Sequence, residues 1–115
     1  PNKIFTYVKE GMYKITSHTR TQARKYGLII RPSSLKGKKI AIFKKMKDKK
    51  TGKMTEKKLA DVGALGYGDF GTFIRTKGRE FADKRRKAYR SRHKGDPMMK
   101  DGKRSRAWYA LNLLW

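Results

Sequence analysis

The chain has 115 residues, with 32 Lys+Arg against 9 Asp+Glu and a formal net charge of +23 at pH 7. Its length suits one small domain, and a hydrophobic fraction of 37%, against a usual ~45–50%, leaves a thin core. The absence of Cys excludes disulfides and thiolate metal sites, and no apolar run approaches the ~20 residues of a membrane span.

The charge does not make the chain a disordered one. Aromatic residues reach 11%, with two Trp, six Tyr and five Phe, a payload that disordered segments lack. A net charge this large repels itself in the compact state. The sequence therefore predicts a fold that is weak alone and is stabilised by a partner that neutralises it.

Residues 1–15 read as an extended arm, with Ile4-Phe5-Thr6-Tyr7-Val8 as its β-prone part. Charge and Gly11 set this segment apart from a signal peptide. From Ser17 to Tyr26 a short helix is expected, with Ser17 as N-cap and Gly27 as its stop. Leu28-Ile29-Ile30 reads as a short buried strand ended by Arg31-Pro32.

A β-hairpin over residues 39–63 is the clearest expectation. Its strands are Lys39–Lys44 and Lys58–Gly63, and Gly52 supplies positive φ in a cationic tip running from Lys47 to Lys53. Ile40 and Ile42 would share one face, with Leu59 and Val62 opposite after a bulge. The run Gly63–Gly71 holds four glycines in nine residues. It lacks both the Gly-Lys-Ser/Thr and the G-x-G-x-x-G continuation, so it reads as a tight connection, with Asp69 capping the next helix.

Over residues 70–94 the spacing of Phe73, Ile74, Phe81, Ala82, Ala88 and Tyr89 predicts a helix that Gly78 weakens or breaks. Glu80 is spaced to pair with Lys84, and Asp83 with Lys87. Arg79, Arg86, Arg90 and Lys94 form its basic face, and Gly95-Asp96-Pro97 ends it. Residues 98–103 read as a polar linker. Residues 104–115 read as a terminal helix with Trp108, Leu111 and Trp115 on one stripe. Core packing against the long helix is the preferred reading of these rings over insertion into a neighbouring subunit. The whole is an α+β single domain.

Catalytic chemistry lacks its parts. His18 and His93 are the two histidines, there is no Cys nucleophile, and the aspartates sit beside turns or within reach of lysines. The chain reads as non-enzymatic, with no catalytic residues, no metal site, no cofactor and no small-molecule substrate. Its cations are spread along the chain: twelve lie within residues 31–61 and fourteen within 62–115. That distribution makes a cationic domain and not a neutral one with a basic tail. Three classes of acidic partner remain open: nucleic acid, bound non-specifically or as a ribosomal-type RNA binder; an anionic membrane surface; and larger acidic protein subunits cemented by a structural protein. The partner-contact residues expected are Lys47, Lys49, Lys50 and Lys53 at the hairpin tip, and Arg79, Arg86, Arg90 and Lys94 on the helix.

Four stretches form a distinctive combination. They are His18-Thr19-Arg20-Thr21-Gln22-Ala23-Arg24-Lys25-Tyr26-Gly27 with Arg31-Pro32-Ser33; Val62-Gly63-Ala64-Leu65-Gly66-Tyr67-Gly68-Asp69-Phe70; Ala82-Asp83-Lys84-Arg85-Arg86-Lys87-Ala88-Tyr89 with Arg92-His93; and Trp108-Tyr109-Ala110 with Leu113-Leu114-Trp115. Together, over about residues 17–115, they resemble a family of small basic virion proteins of nucleocytoplasmic large DNA viruses. The resemblance implies a minor capsid protein on the inner side of an icosahedral shell, made in the host cytoplasm. Its partners would be the major capsid protein and other minor capsid proteins. Packaging with the genome is the alternative that the resemblance leaves open.

Overall fold

The computed structural model describes residues 13–115. The extended arm expected over residues 1–15, including its strand-like Ile4–Val8, lies outside the described residues as far as residue 12. The remainder is a small α+β domain, as the order of expected elements requires. Among the described residues it divides into two compact units, one built on Ala23–Leu65 and the other on Thr16–Gln22 with Gly66–Trp115.

Helix α1 spans Ser17–Lys25. Its N-terminus is capped one residue earlier than the sequence suggests. Thr16 Oγ1 accepts the backbone N–H of Thr19 at 3.3 Å, and the Thr16 carbonyl accepts that of Arg20. Both are capping residue types, with Ser the slightly better one, so the local sequence favours Ser17 and the buried setting of Thr16 overrides it. Gly27 ends the helix as expected, its N–H and that of Leu28 donating to the carbonyls of Arg24 and Ala23.

The first unit is a three-stranded antiparallel sheet in the order β1 (Ile29–Pro32), β2 (Lys38–Lys47), β3 (Met54–Ala64). β-branched residues carry its interior: Ile40, Ile42 and Val62 are buried. The hairpin is longer than its apolar residues alone indicate. A bulge between Ile42 and Phe43 pairs Ile42 with Ala60 and leaves Leu59 as the extra residue, so Ala60 takes the position expected for Leu59. Val62 pairs with Ile40. β1 is half-buried where the sequence reads as buried. At the tip, Gly52 takes φ +70° as expected. The Asp48 carboxylate accepts the backbone N–H groups of Lys50 at 2.8 Å and Thr51 at 3.3 Å.

The second unit is helical. Gly78, at φ +91°, breaks the expected long helix into α2 (Phe70–Lys77) and α3 (Arg79–Arg92). Asp69 caps α2, its carboxylate accepting the Thr72 N–H at 2.9 Å. Gly71 is obligatory for a packing reason, because a Cβ there would collide with the Thr16 side chain. Asp83 pairs with Arg79 and Arg86 and not with Lys87. Their guanidinium groups reach it on one side of the helix, and Arg presents more donors than Lys.

Residues 98–103 are more ordered than a linker. β4 (Met99–Lys100) and β5 (Lys103–Arg104) pair across Asp101-Gly102, both at positive φ, the geometry a tight hairpin turn demands. The terminal helix accordingly starts later than expected, with Ser105 capping α4 (Arg106–Tyr109), and it finishes as a π-helical turn over Ala110–Leu114. That widened turn leaves carbonyls for side chains of the same unit. Thr19 Oγ1 donates to Leu113 O at 2.8 Å, and Gln22 Nε2 to Asn112 O at 2.9 Å. Trp115 is buried and stacks on Tyr89, with centroids 4.4 Å apart and planes at 11°. For this ring, packing on the long helix is the arrangement found.

Candidate cationic interface

Lys47, Lys49, Lys50 and Lys53 are all exposed at the hairpin tip. The tip is held by its own backbone, through Asp48 N–H to Lys53 O and Gly52 N–H to Asp48 O at 2.8 Å each. Its lysines are therefore mounted on a defined turn. None of the four is in an ion pair among the described residues.

The four cations expected on the helical unit fall into two pairs. Arg86 is turned inward: its guanidinium lies 3.8 Å from the Phe70 ring centroid and 3.3 Å from Asp83. Arg79 also bonds Asp83, at 3.0 Å, and lies 5.3 Å from the Phe70 centroid. Both serve a local cluster of cation, ring and carboxylate. Arg90 on α3 and Lys94, expected on the helix but placed in the turn beyond its end at Arg92, are exposed, make no ion pair among the described residues, and line a cleft of about 320 Å³. Tyr89, Met98 and Leu111 give that cleft its apolar wall. His93 lies at its edge, bonded through Nδ1 to Asp96 at 2.7 Å. The cleft can take an anionic group carried on an apolar body.

His18 shares the Phe70 cluster. Its ring meets that of Phe70 edge-on at 4.8 Å, and its Nε2 is buried with no hydrogen-bond partner among the described residues. Burial is the main cause holding its pKa below the ordinary value of 6.5. The positive charge of Arg86 adds to this, with lesser contributions from Arg79 and Arg90, while Asp69 opposes it. His18 is thus a neutral packing group at pH 7.

Sequence reasoning missed three cations that the hairpin register brings into play. Lys44 and Lys57 face each other across β2 and β3, and Lys45 opposes Glu56. Finding them required the register, which the bulge at Leu59 shifts by one residue. Most rings are engaged internally: Phe70, Tyr109 and Trp115 are buried, and Trp108 is covered by Arg104 at 3.9 Å. Tyr67 is the most exposed ring among the described residues, at 77%. No group of three His, Asp or Glu among the described residues is placed to hold a metal ion, and none of the described helices is long and apolar enough to cross a membrane. No family model, curated protein or solved structure matches the chain.

Proposed function

We propose that this chain is a non-enzymatic structural protein that binds acidic partner surfaces inside the particle of a large DNA virus, as a minor capsid protein bridging shell subunits. The observation that carries this reading is the state of its cations. Around the hairpin turn at Lys47, Lys49, Lys50 and Lys53, on α3 at Arg90 and in the turn after it at Lys94, they are exposed and, among the described residues, in no ion pair. A surface of that kind is complementary to acidic subunits and gains order and stability from them. The internal engagement of most rings favours this over a base-stacking role. Placement in a virion follows from the family resemblance. Arg90 and Lys94 beside the apolar wall of the cleft are the residues best suited to an acidic protein segment, which presents carboxylates on an apolar backbone.

The test is fractionation of purified particles after their genome has been released. A minor capsid protein stays with the empty shells and is lost from them when Arg90 and Lys94 are replaced by Glu. Loss of the wild-type protein with the DNA would overturn the capsid assignment.

A further inference from the structure

β1 pairs with β2 only from Ile40 to Phe43. Beyond Phe43 the hairpin is, among the described residues, a two-stranded ribbon, and every residue from Lys44 to Lys58 is exposed. At roughly 3.4 Å per residue, its four strand pairs carry it roughly 14 Å past the third strand. A ribbon of this kind is marginal in water. This one also sets Lys44 directly opposite Lys57, a like-charge pair that opposes the pairing of its own strands.

The register sorts the lysines. Lys44 and Lys57 point to one face, Lys45 and Lys47 to the other, and Lys49, Lys50 and Lys53 surround the tip. None of the seven is in an ion pair among the described residues. The two acids within the ribbon are already engaged. Asp48 accepts backbone N–H groups of the turn, and Glu56 is held by the Arg31 guanidinium through two contacts of 2.8 Å.

We infer that this ribbon binds in the major groove of a B-form DNA duplex, with its lysines on the two flanking rows of phosphates. A flat acidic protein surface meets one face of a ribbon and leaves the lysines of the other unpaired. A groove walled by phosphates on both sides meets both. The major groove, about 12 Å wide, admits a two-stranded ribbon, whereas the minor groove, about 6 Å wide, does not unless distorted. The major groove of duplex RNA is too deep and narrow for side chains to use in this way. Lysine-to-phosphate contacts carry no base information, so binding is indifferent to sequence. The inference assigns the hairpin-tip lysines to DNA in place of an acidic subunit and leaves Arg90 and Lys94 for the shell, so the DNA-binding experiment on the ribbon and the particle fractionation with Arg90 and Lys94 fail separately.

The experiment measures binding of the full chain to a short mixed-sequence DNA duplex across a salt series. It compares a Lys44→Gln/Lys57→Gln variant with a Lys84→Gln/Lys87→Gln variant, which removes the same charge from exposed positions on α3. Each phosphate contact contributes about 0.9 to the slope of log affinity against log salt, so the ribbon variant loses about 1.8 and the α3 variant less than half of that. Weakened binding in the ribbon variant does not reflect unfolding, because relieving the like-charge pair stabilises the hairpin; a thermal melt verifies this. A major-groove dye is expected to compete, a minor-groove ligand is not, and an RNA duplex of the same sequence binds more weakly. Equal slope losses in the two variants would overturn the inference. So would equal binding to duplex RNA, or competition by polyglutamate as strong as that by the duplex at matched charge.

Discussion

Phe70 is a local centre of the helical unit, because its ring is shared by cations and an imidazole. Arg86 lies 3.8 Å from its centroid and His18 meets its edge at 4.8 Å, while the preceding Asp69 caps α2. Asp69→Ala removes the cap and leaves the Thr72 N–H without it. The expected cost is at least about 1 kcal/mol, read as a shift in the urea midpoint. His18 gives a pH prediction. Its folded pKa lies below 6.5, so as pH falls below 6.5 the unfolded chain binds the proton first and stability declines. His18→Gln is expected to flatten the stability profile below that pH, on top of a constant loss at pH 8 from the ring contact with Phe70. Thermal melts of the two proteins from pH 8 to pH 5 check it, and parallel profiles would show that His18 is not the titrating group.

Among the elements, those announced by local chemistry were legible and those set by pairing or packing were not. The hairpin followed from two β-branched runs around a polar turn, and the Asp69 cap and the break at Gly78 followed from residue type alone. The register did not, because apolar spacing cannot show that Leu59 is bulged and Ala60 paired. The Asp101-Gly102 turn carried a readable hairpin signal, but its strands are two residues each and have no apolar pattern. The late start of the terminal helix follows from the β4–β5 pairing and the Ser105 cap, while its π-helical end is bonded by side chains distant in sequence, Thr19 and Gln22, which no local reading supplies. Of the candidate cations, exposure was legible, but the inward turn of Arg86 onto Phe70 was not. At this scale two substitutions have opposite expected effects. Trp115→Ala removes the ring stacked on Tyr89 and is expected to cost about 3–5 kcal/mol. Lys44→Gln/Lys57→Gln relieves the cross-strand repulsion and is expected to stabilise the chain by a few tenths of a kcal/mol, about the scale of such pairs. Both are read by chemical denaturation.

For the whole molecule the governing quantity is the net charge of +23. Compaction brings those cations together, and the ion pairs that do form are mostly exposed and of small effect. The fold is therefore expected to be salt-sensitive in the opposite sense to one held by surface ion pairs, becoming more stable as salt screens its self-repulsion. An acidic partner supplies the same relief more efficiently to the extent that it binds the cations more tightly when the folded elements hold them in one array. The most direct measurement is the melting temperature of the full chain at low salt, alone and with an excess of a polyanion, either duplex DNA or polyglutamate. Saturation near one hundred times the dissociation constant contributes about 2.7 kcal/mol, which for a chain of this size raises the melting temperature by roughly 10 °C. A rise of that order, abolished at high salt, is the predicted result. A melting temperature unmoved by either polyanion at low salt would contradict the claim that the folded surface exists to be neutralised by an acidic partner.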